Sequence, residues 1–392
     1  MSERPVALQL LPTLAQGGAE LYVYRLVKLQ RRDGPFAPAV CSLLRSGPVE
    51  ELLREARVPV EVLGIERASI RRPWAALRDW RWLLHGVIAA ARRHRAALIQ
   101  THLSDADWLG LQAGRRLGIP VVLTFHSSKL IPPERDPREF RARLRTALQA
   151  RFYRRADALI AVGSDVRDSL LAFPGVEPER VHLVPSAIEL PPERSEAERA
   201  ELRRRFAGLI GDARHLLVAV GRAVPSKGHD RLIRMMPRIL AALPGTRLWI
   251  VGDGPERQAL ADLVAELGLG EAVLLLGRRH DVAELLPCAD LYLTGTHREG
   301  LGLAVAEGMA AGLPAVGFRV SGVVDTIEEG VTGRLIPDGD LDAFADAVVD
   351  LLRRPEARAA MAPACRRTAE RFDVRRSREQ TEAIYQRLLA GR

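Results

Sequence analysis

The chain has 392 residues, enough for two domains of ordinary size, and its 47% hydrophobic content with 32 Gly and 25 Pro is that of a globular protein. No apolar run reaches 18 residues, which argues against a membrane-spanning helix, and Val6–Leu11 is too short for a signal-peptide core. Net charge is +9, all of it in the first half: residues 1–195 hold 30 Lys and Arg against 21 acids, while residues 196–392 balance.

In chain order, short β-branched or Leu-rich runs alternate with longer helical patterns, the mark of parallel α/β sheets. Strands are expected at Val6–Leu11, Ala39–Leu43, Val60–Leu63, Ala97–Thr101, Val121–Phe125, Ala158–Val162 and Val181–Val184. Helices at Glu20–Arg31, Pro73–Arg93 and Arg138–Arg155 separate several of them. Pro185–Glu198, with Pro191-Pro192, is the best linker. A second set of strands follows at Leu216–Gly221, Arg247–Val251, Ala272–Leu275, Leu291–Thr294 and Ala315–Phe318. Its helices are His229–Leu243, Glu256–Leu267, Leu303–Ala311 and Leu341–Arg353, and an amphipathic helix Arg375–Leu389 closes the chain. The fold class expected is α/β: two Rossmann-like doubly wound domains, 1–190 and 191–372, facing a cleft. The last helix (373–392) would cross back to the first domain. Cys41, Cys288 and Cys365 are odd in number and lack CxxC spacing, which points to reduced thiols and a cytoplasmic protein.

Ligands of such sheets bind beyond the strand carboxyl ends, and the chemistry-bearing residues fall there. Gly17-Gly18-Ala19-Glu20 follows the first strand, His102 the fourth and His126 the fifth. In the second half Gly221-Arg222, with Lys227-Gly228 close behind, follows the first strand, and Glu299 the fourth. The glycine pairs allow close backbone approach, Arg222 can grip phosphate oxygens bidentately, and Lys227 adds a point charge. In EGLGLAVAE (Glu299–Glu307), two carboxylates flank a Gly-rich turn at a helix start. They lie roughly 12 Å apart or less, too far for an acid/base pair on one bond. Amides of Leu301, Gly302 and Leu303 would form an anion site between them, suiting a ligand with a polyol at each end and phosphate in the middle.

Other features read two ways. Asp105-x-Asp107 resembles a metal-binding DxD, yet it sits at a helix start where acids complement the dipole, and no metal site is expected. Glu134–Arg155, with eight Arg against three acids, is either a surface for an anionic partner or a solvated helix face. Nucleic acid is not expected, because no recognition motif accompanies the charge. Trp74, Trp80 and Trp82 lie among arginines, as in an interfacial membrane helix. The stripe Leu77, Trp80, Leu84, Val87, Ile88 and Ala91 favours packing on the sheet instead.

GRAVPSKGHD (Gly221–Asp230), VGDGPER (Val251–Arg257), EGLGLAVAEGMAAGLPAVG (Glu299–Gly317) and EEGVTGRLIP (Glu328–Pro337) together resemble glycosyltransferase family 4, the retaining nucleotide-sugar transferases of GT-B fold. The resemblance covers essentially the whole chain. It implies a donor held by the second domain and an acceptor held by the first. Arg222 and Lys227 would neutralise the pyrophosphate, with Gly300, Leu301, Gly302 and Leu303 also meeting phosphate. Glu307 would bind the ribose hydroxyls and Glu299 the donor sugar. The Gly17-Gly18 loop would close over the reaction centre, His126 would face the transferred sugar, and His102 would lie toward the acceptor. Catalysis would rest on His126, Glu299, Arg222 and Lys227, with no cofactor or metal, by a front-face route. The acceptor would be a glycan, a lipid-linked or a small-molecule hydroxyl, with a UDP-sugar as the favoured donor and an anionic membrane meeting the basic first half. A soluble transferase acting on a small metabolite, or a non-catalytic binding module, are the alternatives. The chain departs from the family pattern at Leu301 (usually Phe), Gly308 (usually Ala), Ser186-Ala187-Ile188-Glu189 (often Asn-Gly-Ile-Asp) and Ser321-Gly322 (commonly Gly-Gly).

Overall fold

Runs of Val, Ile and Leu with apolar residues on both faces become the strands, as sheets covered on both sides require. The computed structural model describes residues 4–15, 17–64, 73–126 and 140–391, and of 73–77, 104 and 140–145 the backbone alone. The chain divides into two compact units, Met1–Ala187 with Val374–Arg392, and Ile188–Asp373.

In the first unit β1 (Val6–Thr13), β2 (Ala37–Arg45), β3 (Val60–Val62), β4 (Ala96–His102), β5 (Val121–Phe125), β6 (Ala158–Ala161) and β7 (Val181–Leu183) form one sheet. Its order is β3-β2-β1-β4-β5-β6-β7, and every pairing is parallel. The connecting helices are α1 (Gly18–Asp33), α2 (Pro48–Glu55), α3 (Pro73–Arg93), α4 (Ser104–Leu117), α5 (Phe140–Tyr153) and α6 (Ser164–Leu171). Alternation splits the sheet cleanly. Leu8, Leu10, Ile99 and Leu123 face one core, while Ala7, Leu98, Val122 and Ile160 face another.

The second unit opens with α7 (Glu196–Arg205), whose Ser195 and Glu198 form a reciprocal capping box, and α8 (Ala207–Ile210). The expected linker is therefore shorter than Pro185–Glu198, since its last residues already belong to a capped helix. There follow β8 (His215–Val220), α9 (His229–Ala242), β9 (Thr246–Val251), α10 (Arg257–Glu266), β10 (Val273–Gly277), α11 (Val282–Leu285), β11 (Leu291–Thr294) and α12 (Leu303–Ala310). The unit ends with β12 (Ala315–Phe318), β13 (Gly333–Ile336), α13 (Leu341–Arg353) and α14 (Pro355–Ala369). The sheet is again all parallel, in the order β10-β9-β8-β11-β12-β13. β13 is a strand that the sequence pattern did not reveal. Gly333 lets it pair, because a Cβ there would fall 1.8 Å from the Ala315 carbonyl oxygen. In each unit the strand order reverses beside the first strand, between β1 and β4 and between β8 and β11. These are the switch points at which doubly wound sheets receive ligands.

The chain leaves the second unit beside its point of entry, with Ile188 N–H donating to the Phe372 carbonyl at 2.8 Å. It then forms α15 (Val374–Ala390), which packs on the first unit. Ile384 and Tyr385 complete the core under Ala7, Leu98 and Val122. Tyr22 and Ser377 share a buried hydrogen bond of 3.1 Å between their hydroxyl oxygens.

On α3 the buried stripe is Leu83, Val87, Ala90 and Ala91, with Trp80, Leu84 and Ile88 only partly covered. From Trp80 onward the expected stripe thus packs on this core, with Leu83 and Ala90 widening it, and Trp82 is 65% exposed. Arg71, Arg72 and residues 134–139 of the Arg-rich run lie outside the described residues, as does the side chain of Trp74. All three cysteines are buried and free. Among the described residues no helix is long and apolar enough to cross a membrane.

Glu382 on α15 is 4% exposed, against Gly34 and 3.6 Å from Arg378 Nε. Burial pushes its carboxyl up to about 7 from 4.5, with Arg378 only partly opposing the shift. The native form therefore keeps a proton that the unfolded chain has released, and its stability contribution is lost as pH rises through that window. Urea denaturation of Glu382→Gln beside the unsubstituted protein should show the variant gaining relative stability from about pH 5 to 8, by on the order of 2 kcal/mol. A pH-independent difference would contradict this account.

Candidate active site

Three glycine-bearing loops at the β8/β11 switch point are built as one body. Beyond β8, Gly221 N–H donates to Val251 O at 2.9 Å and Ala223 N–H to Asp253 O at 3.0 Å. Gly252 has φ +144, and a Cβ there would lie 1.9 Å from the Gly221 carbonyl oxygen. Gly228 (φ +60) and Gly295 meet in the same way, each blocking a Cβ on the other at 2.0 and 2.2 Å. The Ser226 carbonyl accepts from Thr296 Oγ1 at 2.8 Å and from His297 N–H at 3.0 Å.

On this frame Lys227 Nζ donates to the Glu299 carboxylate, the two side chains being 24% and 21% exposed. Arg222 is exposed, and its guanidinium has no partner among the described residues. His229 lies beneath, buried, with Nε2 3.3 Å from the Gly221 carbonyl and Nδ1 without a hydrogen-bond partner among the described residues. Burial is the main cause that lowers its pKa, and the nearby Lys227 charge adds to the effect. Lys227, His229, Tyr292, Glu299 and Gly302 line one small cavity.

The α12 N-terminus faces the same place. Gly302 caps it in the left-handed region (φ +53), and its carbonyl accepts from Val305 and Ala306. Amides of Leu301, Gly302 and Leu303 find no acceptor among the described residues. Such unpaired donors at a helix start favour an anion. Glu299 is held by its backbone: its N–H donates to Ser321 O at 3.0 Å, and Ser321 Oγ donates to its carbonyl at 3.3 Å. Gly322 (φ +77) leaves room for that carbonyl, which a Cβ would meet at 2.6 Å. Glu307 is half-buried on α12. Glu307 and Glu299 both add to the upward shift of the Tyr292 phenol, which burial dominates. Tyr292 in turn donates to Val220 O at 3.1 Å, tying β11 to the end of β8.

In the first unit Gly17 caps α1, and a Cβ there would meet the Glu20 carboxylate at 2.4 Å. Glu20 therefore folds back over its own helix start. His102 ends β4 with 0% exposure, and His126 follows β5 half-buried. Their rings meet at His102 Nδ1 and His126 Nε2, 3.0 Å apart. Burial lowers both, His126 to about 4. Direct contact of His102 with an acceptor is corrected by this burial, since both its ring nitrogens are engaged inside the protein. Asp107 is buried too, hydrogen-bonded by Thr101, and raised to about 7 chiefly by burial. Among the described residues no cluster of three or more His, Cys, Asp or Glu is arranged to hold a metal ion.

A family model described as Glycosyltransferase Family 4 matches residues 16–190, and one described as Glycosyl transferases group 1 matches residues 202–368. A D-inositol 3-phosphate glycosyltransferase of Saccharomonospora viridis is 30% identical over 310 residues, 75% of this chain and 70% of the relative. The chain belongs to the group 1 and family 4 glycosyltransferases. A 2-deoxystreptamine glucosyltransferase of Streptomyces kanamyceticus is 29% identical over 76% of this chain and 79% of its own length. Among solved structures, Anabaena HepE with UDP-glucose has a TM-score of 0.80 at 22% identity, covering 98% of this chain and 99% of its own. Sucrose-phosphate synthase of Thermosynechococcus elongatus has a TM-score of 0.77 at 19% identity over the full length of both. Two Rossmann-like units of this kind make the GT-B fold.

For this glycosyltransferase the second unit thus brings Lys227, Glu299 and the Leu301–Leu303 amides together, while His102 and His126 belong to the first. Sequence reading missed Tyr292, Thr296 and His229, which support the site from behind. His229 directly after Lys227-Gly228 was the one legible signal. Tyr292 also accounts for a departure in α12: its ring carbon Cδ2 would lie 2.5 Å from a Cβ at position 308, where the family usually has Ala. Gly308→Ala should therefore cost about 1–3 kcal/mol by overpacking, read as a lower urea midpoint. Gly208→Ala, where nothing lies within 4 Å, should not lower it. Equal effects of the two would sink the explanation.

Proposed function

We propose that this glycosyltransferase moves a sugar from a nucleotide-diphosphate sugar, preferably a UDP-sugar, to an acceptor hydroxyl with retention and without a metal. The observation that carries the reading is Lys227 paired with Glu299 beside helix-start amides that find no acceptor among the described residues. Lysine has three donors, so an arriving diphosphate can share Nζ with the Glu299 carboxylate. Arg222, whose guanidinium has no partner among the described residues, supplies the second cation, and the amides of Leu301–Leu303 supply directed donors. Glu307 takes the ribose hydroxyls and Glu299 the donor sugar. Fixed cations and amides stabilise the leaving diphosphate, which then serves as base toward the acceptor on the same face. His126 faces the transferred sugar. The UDP preference draws on HepE, whose structures hold UDP and UDP-glucose.

For the acceptor, the reading is a glycan or lipid-linked hydroxyl of the cell envelope, met at the cytoplasmic face of the membrane. The +9 excess of residues 1–195 and exposed Trp82 support it. A small polyol acceptor is the second reading, and the Saccharomonospora viridis relative, a D-inositol 3-phosphate glycosyltransferase, favours it. Sedimentation with anionic vesicles separates them, since only the first predicts salt-sensitive binding.

A thermal-shift panel of UDP-, GDP- and ADP-sugars should give selective stabilisation by one nucleotide, about 2.7 kcal/mol at a hundredfold excess over Kd. The shift should vanish in Glu307→Ala. Turnover of that sugar should survive EDTA, and Lys227→Ala should lower kcat by about 10²–10³. Binding lost to EDTA, or full turnover in Lys227→Ala, would refute the mechanism.

A further inference from the structure

A continuous file of buried polar side chains crosses the first unit behind His126. Gln100 Nε2 donates to Thr124 Oγ1 at 2.6 Å, and Tyr385 OH donates to Gln100 Oε1. Gln9 Nε2 donates to Tyr385 OH at 3.1 Å, and Gln9 Oε1 lies 2.9 Å from His102 Nε2. His102 Nδ1 then lies 3.0 Å from His126 Nε2. Gln9, Gln100, Thr124, His102 and Tyr385 are all 0% exposed. Tyr22 packs edge-on against both imidazoles, at 6.3 and 5.5 Å, with its own hydroxyl held by Ser377.

With Gln9 and Gln100 oriented so that each amide nitrogen donates along the file, valence sets its direction. Gln9 gives its amide hydrogen to Tyr385, so its carbonyl oxygen faces His102 and can only accept. His102 must then carry its proton on Nε2. Neutral imidazole has one N–H, which leaves Nδ1 as a lone pair. That lone pair faces His126 Nε2, which must therefore donate. His126 in turn is left with a lone pair on Nδ1, for which the described residues offer no partner. A second proton on His102 would set its Nδ1–H against the Nε2–H of His126 or force the file to reverse among fully buried side chains, whereas one on His126 would enter at its Nδ1 and is opposed by burial. Burial independently lowers both imidazoles.

We propose that Gln9, Gln100, Tyr385 and His102 are positioning residues that hold His126 as the neutral Nε2–H tautomer, so that its Nδ1 meets substrate solely as a hydrogen-bond acceptor. The group recognised there is a hydroxyl, which donates; a phosphate or carbonyl oxygen is rejected, because it would oppose lone pair to lone pair. One element of the device, Tyr385, comes from the C-terminal helix α15, far from His126 in sequence. Its consequence for turnover rests on the reading that His126 faces the transferred sugar. The tautomer itself does not.

The test is a long-range ¹H–¹⁵N correlation on the full chain with ¹⁵N-labelled histidine at neutral pH, assigned with His102→Gln and His126→Gln. The expected spectrum has protonated Nε2 and bare, pyridine-like Nδ1 for both rings. Protonated Nδ1 on both rings would mean that the file runs the other way, and a cationic pattern that burial does not exclude the proton; either overturns the proposal. Tyr385→Phe removes one hydroxyl and lets Gln9 turn. His126 should then show mixed tautomers, with kcat down about three- to tenfold, the worth of one uncharged hydrogen bond, and KM for donor nearly unchanged. An unaltered His126 spectrum in Tyr385→Phe would also overturn it. The expected tautomer combined with full turnover in His126→Ala would leave the file standing and remove His126 from the proposed mechanism.

Discussion

Backbone laid directly against backbone is the constraint on which the second unit's site depends. Each of the loops after β8, β9 and β11 approaches a neighbour so closely that a single Cβ would lie about 2 Å from a carbonyl oxygen, at Gly252, Gly228 and Gly295. Those contacts leave the Lys227–Glu299 pair little freedom, because Lys227 sits one residue before Gly228 and Glu299 four after Gly295. Gly322 extends the same device to the other side of Glu299. The functional side chains are thus carried on loops, yet the loops are fixed by the sheet. The glycines here supply closeness as much as unusual dihedral angles, and their backbone-entropy cost is offset by hydrogen bonds that no larger residue would permit.

The two units solve the burial of polar groups differently. In the second, charge is kept half-exposed and paired, so Lys227 and Glu299 avoid full desolvation while remaining exchangeable. In the first, the groups behind His126 are fully buried and uncharged, and each hydrogen bond sets the direction of the next. A neutral file of this kind tolerates burial, since no group in it requires solvation as an ion. It is also specific: reversing one amide obliges its neighbours to reverse. On the function proposed, charge suits a site that holds and releases a diphosphate, and a fixed neutral acceptor suits one that recognises a hydroxyl.

Much of this was legible in the sequence, and for identifiable reasons. The strands were readable because parallel sheets bury both faces and leave near-continuous apolar runs, as in VALQLL. EGLGLAVAE was readable because two glycines break that pattern beside two carboxylates. β13 was missed because GRLI is short, starts on glycine and carries an arginine. The packing stripe of α3 was readable from its spacing, and Leu83 and Ala90 widen it. Only the fold reveals Glu20 laid over the Gly17 turn. His102 was placed near the acceptor because its position at a strand end is the same whether its ring points outward or inward.

Gln9 and Gln100 were the overlooked signal. Each is a lone amide inside an apolar strand, VALQLL and ALIQTH, where a buried polar group requires a partner. Neither strand contains that partner. It arrives from Tyr385 on α15, more than 280 residues farther along the chain. The helix could be foreseen as a cover for the sheet face under Ala7, Leu98 and Val122, because a parallel sheet needs both faces covered. A cover made only of leucine would satisfy that need and leave both amides unpaired. The phenol at position 385 therefore answers a requirement set by the two glutamines, and the glutamines in turn are explained by the imidazole that one of them holds.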